Sequence, residues 1–360
     1  MKILIVGDWH SELHEEAVSR ALVELGHSVE RFPWHKYFTF STGSIFSHVV
    51  HLWRRVQNKY LWGPNLTRLN SDLIDIVRRD QPKVVFVYRG THIFSKTLYA
   101  LRKVAPDTVL VGYNNDNPFT VGHTIGLWRH FIAGLPALDL ALAYRHANLN
   151  DFSNAGAQRT ELLRSWYVPE RNRYVRLSNE ELEQFSSDVV FAGHYEPDMR
   201  LACLEEVVRR GWRLRIFGHT EGWKQALESS PILRHINPVY PMWNDDYNRA
   251  LCGARVALCF LSKLNQDTYT RRCFEIPASG TLMLSEYSDD LASMFAAGVE
   301  TDYFRSPQEL GEKLDYYLHN EQKRISVANA GQKRLLQDKH DVVSRMQQVV
   351  GWIEEIRGSN

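Results

Sequence analysis

The sequence predicts a two-domain α/β protein in which each domain has a parallel sheet of the Rossmann-like type. The chain of 360 residues is longer than one typical hydrophobic core requires. Short apolar runs alternate with segments of helical periodicity, and this series starts twice, at residue 2 and again after residue 180. We therefore predict an N-terminal domain over residues 1–180, a second domain over 181–340 and a C-terminal helix within 341–360.

The first half opens with an apolar run, KILIV, that predicts a strand over residues 2–6. Helical periodicity follows from Glu12 to Leu25, and Gly26 supplies a C-cap. Further strands are predicted at residues 28–32, 84–88, 108–113 and 138–143. Because ligands bind beyond the carboxyl ends of parallel strands, we expect the loops after these strands to line one cleft.

The second half repeats the pattern. Strands are predicted at residues 189–193, 214–218, 256–261 and 281–285, and a helix over 199–210 ends at Gly211. The tail over 342–356 has apolar residues at helical spacing, namely Val343, Met346, Val350 and Ile353. Such a face needs a partner surface, so we expect this helix to pack back on the first domain.

Composition excludes several classes of protein. The formal net charge is +1, which does not fit a nucleic-acid binder with a wholly basic surface. The four cysteines have no CxxC spacing, and this favours a reducing, cytoplasmic compartment. The first apolar run is too short for a secretory signal, and no stretch approaches the ~20 apolar residues of a membrane span.

The most informative stretch runs from residue 267 to residue 284. Asp267 and Thr268 are predicted to cap a helix whose exposed N–H groups suit a phosphate. Arg272 falls in the first turns of that helix. Glu275 lies one turn after Arg271, where it can pair with that arginine or accept hydrogen bonds from a ribose.

In the order and spacing of several short motifs, the chain resembles the GT-B glycosyltransferases, and among them the branch of the spore-maturation protein CgeB. The resemblance covers nearly the whole chain and is strongest in residues 186–335. The motifs are YNNDNP at 113–118, DFSNAGA at 151–157, FAG at 191–193 followed by Arg200, RIFG at 215–218, RCFEIPASG at 272–280 and ANAG at 328–331.

This resemblance implies two domains that face a central cleft, a nucleotide-sugar donor held by the second domain, and no metal or other cofactor. Glu275 matches the glutamate that binds the donor's ribose, while Asp267 stands where many retaining members have a glutamate near the sugar. Arg200 is similar to the basic residue on the donor pyrophosphate. The remaining expected donor contacts are Gly193 and Gly218 beside the nucleotide, Tyr240 against the base, Thr268 and Arg272.

A catalytic base for the acceptor hydroxyl is expected in the N-terminal loops. Asp116 ranks first because it directly follows a strand, although an Asx-turn before Pro118 explains it equally well. His10 and His92 are the other candidates. A zinc site on His10 and His14 is disfavoured, because no third ligand lies nearby in the sequence.

Residues 31–71 differ from the rest of the chain in charge. They contain six Lys or Arg, nine Phe, Trp or Tyr, and no Asp or Glu. Such a segment suits peripheral contact with an anionic membrane that bears a lipid-linked acceptor. Helices that pack in the core and expose a cationic face are an equal alternative.

The sequence therefore predicts a glycosyltransferase that moves a sugar to a glycan or lipid-linked acceptor in cell-surface polysaccharide or glycoconjugate synthesis. Two alternatives share the fold: a nucleotide-sugar 2-epimerase and a catalytically silent nucleotide-sugar-binding protein. A nicotinamide dehydrogenase is excluded, since the loop after the first strand, Gly7–His10, lacks the GxGxxG turn.

Overall fold

A computed structural model describes residues 1–39, 45–120 and 126–358, with the side chains of 45–49 left out. The chain forms two compact units. Unit 1 comprises Met1–Arg164 and Val342–Asn360, and unit 2 comprises Ser165–Asp341. No helix in the described residues is long and apolar enough to span a bilayer.

Each unit has one sheet in which every pair of neighbouring strands is parallel. The sheet of unit 1 has the order β2-β1-β3-β4-β5-β6, and that of unit 2 has the order β11-β10-β9-β7-β8. The strands are β1 (Lys2–Gly7), β2 (Ser28–Pro33), β3 (Val84–Tyr88), β4 (Val109–Asn114), β5 (Leu140–Ala143), β6 (Thr160–Leu162), β7 (Ser187–Ala192), β8 (Leu214–Phe217), β9 (Ala254–Cys259), β10 (Leu282–Glu286) and β11 (Asp302–Phe304).

Helices follow most strands, as parallel crossovers require. They are α1 (Glu15–Glu24), α2 (Ile45–Tyr60), α3 (Pro64–Asp80), α4 (Ser95–Val104), α5 (Arg129–Gly134), α6 (His146–Asn154), α7 (Asn179–Phe185), α8 (Arg200–Arg209), α9 (Thr220–Ser229), α10 (Asn244–Cys252), α11 (Arg272–Ala278), α12 (Asp289–Met294), α13 (Pro307–His319), α14 (Glu321–Gln337) and α15 (Val342–Gly358).

Inner strands of both sheets are buried along most or all of their length, which explains their unbroken apolar sequences. Every residue of β3, β4 and β5 is buried, and so is every residue of β10. Each unit has its own core of apolar side chains around its sheet. The prediction of two Rossmann-like α/β domains is confirmed.

The division between the units falls between Arg164 and Ser165, before the predicted boundary near residue 180. The segment after Ser165 is bound within unit 2: the Ser165 amide donates to the Tyr269 hydroxyl at 3.1 Å, and the Tyr167 amide donates to the His340 carbonyl at 3.2 Å. These contacts add the segment to unit 2 although it contains no regular strand.

The last helix, α15, belongs to unit 1 and packs against α1. Met346 and Ile353 are buried, as the apolar spacing predicts. The other two buried positions are Val342 and Val349, each one residue before the valine that the sequence favoured. The Val-Val pairs at 342–343 and 349–350 make the two positions indistinguishable by apolar spacing.

Candidate active site

In unit 2, two glycines lie side by side where β7 and β8 end. The Gly193 amide donates to the Phe217 carbonyl at 2.8 Å, and the Trp223 indole N–H donates to the Gly193 carbonyl at 2.9 Å. A side chain on Gly218 would overlap both that carbonyl and the indole nitrogen. Packing alone therefore requires glycine at 218, and its approach to a nucleotide stays a prediction.

Arg272 lies next to this pair of strand ends. A Cβ atom on Gly193 would stand 3.2 Å from Arg272 Nη2, so the guanidinium occupies the space that a side chain there would fill. Burial opposes the charge of Arg272, but Tyr247, Cys259 and Glu275 around it raise its pKa above the usual value. The structure thus brings Gly193, Gly218 and Arg272 together.

Glu275 lies in the same helix, α11, and is buried, with 4% of its surface exposed. Its Oε2 atom accepts a hydrogen bond of 2.8 Å from the Tyr247 hydroxyl. Burial, together with the charge of Glu275, raises the pKa of Tyr247 well above its usual value, so this hydroxyl stays a donor. A buried carboxylate needs such partners, and Glu275 has an acceptor oxygen left for a further donor.

The prediction that a helix begins at Asp267 is wrong, because α11 begins at Arg272 and has only seven residues. The residues before it are bound by tertiary contacts. Thr268 Oγ1 donates to Asp290 Oδ2 at 2.6 Å, and the Thr268 carbonyl accepts from the Ser288 hydroxyl. The Asp267 amide donates to the Ser262 carbonyl at 2.8 Å. Asp267 and Thr268 therefore lie in a loop that leads into α11.

Arg200 is buried, and its guanidinium is committed to neighbouring groups. Nε and Nη2 donate to the two oxygens of Asp198, each at 2.8 Å, and Nη1 donates to the His194 carbonyl at 2.7 Å. Arg200 thereby fixes the loop after β7. Its predicted contact with a donor pyrophosphate stays a prediction.

Two exposed basic side chains in unit 2 were missed by sequence reasoning. His194 follows Gly193 directly, and its Nε2 lies 2.7 Å from Glu196 Oε1. Lys263, in the loop after β9, forms an ion pair with Glu286, and its amide donates to Glu196 Oε2 at 3.0 Å. The side chains of His194 and Lys263 remain 61% and 58% exposed.

Glu196 links these groups. Burial raises its pKa, but hydrogen bonds from His194 and Ser262 and the charge of Arg200 outweigh that effect and lower the pKa to about 2. Glu196 is therefore an anion that positions the His194 side chain and the Lys263 backbone at the carboxyl edge of the sheet. The position of His194 and Lys263 directly after predicted strands was the signal that could have found them.

Tyr240 lies in the loop before α10. Its carbonyl accepts from the Gly218 amide at 3.1 Å, and Val239, beside it, accepts from Thr220 Oγ1 at 2.8 Å. The Tyr240 side chain is 64% exposed, and Trp243 is 70% exposed. Two bonds therefore fix the backbone near the end of β8 while the aromatic rings face solvent.

In unit 1, Asp8, His10 and His35 form a cluster after β1 and β2. His10 Nε2 lies 3.3 Å from Asp8 Oδ2, the ring of His35 is hydrogen-bonded to the Asp8 carbonyl, and the two imidazole rings stack with their centres 5.3 Å apart. Trp9 has a left-handed backbone with φ of 62°. Trp9, with this uncommon backbone conformation, connects Asp8 to His10 in the chain.

Burial raises the pKa of Asp8, although the charges of His10, His35 and Arg89 oppose that effect. The ligand atoms of Asp8, His10 and His35 lie within 4.8 Å of one another, a spacing that a metal ion could use. Asp8 and His10 already pair with each other. The arrangement equally suits an exposed histidine that takes up a proton beside a fixed carboxylate.

Asp116, the first-ranked candidate for the base, is paired with Arg89 at 2.9 Å. Its amide donates to Asn114 Oδ1 at 3.1 Å, so the Asx-turn at this loop is made by Asn114, and the alternative of an Asx-turn by Asp116 before Pro118 stays a prediction. The side-chain nitrogen of Asn114, Nδ2, is buried without a hydrogen-bond partner. Asp116 is therefore an ion-paired carboxylate at the carboxyl edge of the sheet.

His92 is held in a different set of contacts. Its Nε2 lies 2.7 Å from Asn58 Oδ1, its Nδ1 lies 2.9 Å from Thr91 Oγ1, and its ring stacks on Trp34 at 5.0 Å. Burial, and then the charges of Arg89 and His130, lower its pKa to about 3. A histidine with both nitrogens bonded and so low a pKa is a poor proton acceptor at neutral pH.

Comparison with known proteins agrees with this architecture. Residues 200–351, about two fifths of the chain, match the family model described as "Glycosyl transferase-like". Comparison with curated proteins finds no relative of significant sequence similarity.

Solved structures cover the whole chain. HepE of Anabaena in complex with UDP-glucose has a TM-score of 0.67 at 14% identity and covers 99% of this chain and 100% of its own. Sucrose-phosphate synthase of Thermosynechococcus elongatus has a TM-score of 0.69 at 9% identity, and the match covers 100% of both chains. A glycosyltransferase of Rickettsia africae has a TM-score of 0.68 at 12% identity, and the match covers 99% of this chain and 98% of that one. The fold is GT-B.

Proposed function

We propose that the protein is a glycosyltransferase that takes a sugar from a nucleotide donor bound at the carboxyl edge of the unit 2 sheet. The observation that carries the proposal is the juxtaposition of Gly193, Gly218 and Arg272, with buried Glu275 in the same helix as Arg272. The match of residues 200–351 to a glycosyl transferase-like family supports it, and so does the likeness to HepE, a structure that contains UDP-glucose.

In this proposal, different residues of unit 2 contact different parts of the donor. Glu275 accepts hydrogen bonds from the ribose hydroxyls, and Tyr240 lies against the base. Arg272 is nearest to the diphosphate, and Asp267 and Thr268 are assigned to the sugar side. We assign Arg200 to the support of the loop that carries His194, because its guanidinium already has three hydrogen bonds to Asp198 and His194.

The transfer breaks the bond between the sugar's anomeric carbon and the phosphate oxygen, and it forms a bond to the acceptor oxygen. Negative charge grows on the departing nucleoside diphosphate, so Arg272, with Lys263 and His194 in support, stabilises the transition state more than the ground state. We propose that these basic side chains replace a divalent metal.

The acceptor's proton needs a destination, and His10 is the best candidate. Its imidazole is exposed and pairs with Asp8, whereas Asp116 is paired with Arg89 and both ring nitrogens of His92 are hydrogen-bonded. A histidine beside a fixed carboxylate is suited to take a proton from a hydroxyl. Asp116 remains the alternative base.

We further propose that the chain belongs to the CgeB-like branch and glycosylates a glycan or lipid-linked acceptor in the cytoplasm, in cell-surface polysaccharide or glycoconjugate synthesis. The motifs at 113–118, 151–157 and 272–280 support the branch. The four cysteines are free thiols, which suits a reducing compartment. The Sγ atoms of Cys259 and Cys273 lie 3.6 Å apart as thiols.

A thermal-shift panel of nucleoside diphosphates and nucleotide sugars tests the proposal, with uridine diphosphate as the first probe. A ligand present at about 100 times its dissociation constant should stabilise the protein by ~2.7 kcal/mol. Transfer to an acceptor, rather than epimerisation of the sugar or binding without turnover, is then read from the products. A panel in which no nucleotide raises the melting temperature would contradict the proposal.

A further inference from the structure

Helix α2 and the turn after it hold large apolar side chains in solvent. The exposed fractions are 62% for Leu52, 45% for Trp53, 54% for Tyr60 and 52% for Trp62. The rings of Trp53 and Trp62 meet edge to face, with centres 5.9 Å apart. Contiguous exposed apolar groups of this size mark interaction surfaces in soluble proteins.

The exposed side chains lie outside, or at the border of, the face by which α2 packs on the rest of unit 1. That face is marked by Gln57 and Leu61, which are 1% and 2% exposed. Gln57 Oε1 accepts from the Asn65 amide at 2.8 Å and so ties α2 to α3. Leu52 is five residues before Gln57 and lies on another side of the helix, whereas Trp53 and Tyr60 lie at the border between the two sides.

The charged residues of α2 are all basic. Arg55 and Lys59 are exposed, and they lie three and seven residues after Leu52, on the flank of the same side. At the end of α2, Arg129 Nη2 donates to the Tyr60 carbonyl at 2.6 Å. No acid occurs in residues 31–71.

The first acid after this segment is already engaged. Asp72 accepts from the Tyr37 hydroxyl at 2.8 Å and lies 3.7 Å from Arg68. The apolar side of α2 is therefore flanked by cations with no acid of its own segment to neutralise them. Charge complementarity points to a strongly anionic partner.

We propose that this aromatic-basic face, formed by Leu52, Trp53, Arg55, Lys59, Tyr60 and Trp62, docks on a lipid bilayer that contains anionic lipid. An amphipathic helix of 16 residues lies in the interface with its apolar side toward the acyl chains, and Trp and Tyr rings settle at the headgroup level. The cations are drawn to anionic headgroups. Docking itself does not depend on the proposed function; only the step from it to a lipid-borne acceptor rests on that function.

Co-sedimentation of the full-length protein with vesicles tests the proposal without donor or acceptor. We expect binding to phosphatidylcholine vesicles that contain phosphatidylglycerol and little binding to phosphatidylcholine alone. Binding should fall as the salt rises from about 0.1 M to about 1 M, since the screening length shortens from roughly 10 Å to roughly 3 Å. Binding that ignores lipid charge would overturn the proposal.

Two surface variants locate the docking face. Arg55→Glu with Lys59→Glu should weaken partitioning at least about tenfold, because each surface cation contributes to attraction by anionic lipid. Lys83→Glu with Lys103→Glu makes the same change in net charge at exposed positions elsewhere on unit 1 and should bind normally. Equal loss in both pairs, or in neither, would contradict the assignment.

A third variant tests the apolar contribution. Trp53→Ser with Trp62→Ser should bind vesicles poorly at every salt concentration, whereas Tyr99→Ser, at a position 45% exposed on α4, should bind like the unmodified protein. Melting temperatures of all variants check that they remain folded. If light scattering instead finds a dimer that the tryptophan variant dissolves, and no variant or parent binds vesicles, the face contacts a second copy and the proposal is wrong.

Discussion

In unit 2 five residues of the proposed donor site come from one stretch of chain, residues 263–275, whereas in unit 1 the polar groups come from separate loops after β1, β2, β3 and β4. The unit 2 stretch has a recognisable motif because Arg272 and Glu275 are fixed relative to one another by a short helix. Asp8, His35, Arg89 and Asp116 meet only because parallel strands end at one edge. A site built from one segment is visible in a sequence, and a site built from several is visible only in the fold.

The two sites also differ in how their charges are balanced. In unit 2, Arg272 and the exposed side chains of His194 and Lys263 lie at or near the sheet edge with glycines between the strand ends. His194 and Lys263 also have acidic partners, Glu196 and Glu286, but most of each basic side chain stays in solvent. In unit 1, Arg89 is paired with Asp116 and is 44% exposed. We interpret the first as a site prepared for an anion and the second as a site prepared to accept a proton.

The largest effect is expected from His10→Ala, which removes the proposed base. General base catalysis contributes about 10²- to 10⁴-fold, so turnover should fall by that range while nucleotide binding is retained. Steady-state transfer rates check the fall in turnover, and calorimetric titration of the same variant checks that nucleotide binding is retained. His235→Ala, at an exposed position in unit 2, is the matched histidine control.

Asp116→Asn decides between the two candidate bases. If it abolishes transfer while His10→Ala stays active, the acid of unit 1 is the base and the assignment of His10 is wrong.

The next effect is expected from Arg272→Ala, because it removes one preorganised cation from the departing diphosphate. Turnover should fall by at least about 100-fold. Arg271→Ala is the matched control: its guanidinium lies over the Trp166 ring at 5.6 Å, and its loss should change the rate only a few-fold. Near-normal turnover in folded Arg272→Ala would reject the role of that residue.

A smaller effect is expected from Glu275→Gln, which keeps the shape of the side chain and removes its charge. The loss of a charge-assisted hydrogen bond to the ribose should weaken donor binding by ~1 to 3 kcal/mol, or about 5- to 150-fold in affinity. Tyr247→Phe removes the existing partner of Glu275 without touching the ribose contact. Calorimetry in which Glu275→Gln binds as tightly as the parent would contradict the assignment.

The sequence was sufficient for the central strands because burial on both faces requires unbroken apolar runs, as in KILIV and VVFVY. It placed the start of α11 too early, because an Asp-Thr pair caps a helix only when its side chains are free to do so. Thr268 instead bonds to Asp290, a residue 22 positions later that local sequence does not reveal.

The same limit applied to single residues of the site. His92 was a reasonable candidate from its position after β3, but its burial against Trp34 depends on a segment more than fifty residues earlier. Lys263 belongs to no motif, and its position near Glu196 and Glu286 follows from the neighbouring strands. Contacts between distant segments, rather than local pattern, decided each of these cases.

The central claim is that unit 2 binds a nucleotide donor through its own cations, without a divalent metal. Calorimetric titration of nucleoside diphosphates, in excess EDTA and again with added magnesium or manganese, tests it most directly. We predict the same dissociation constant in both buffers for the parent protein and weaker binding in both for Arg272→Ala. Binding that disappears in EDTA and returns with the metal would contradict the claim.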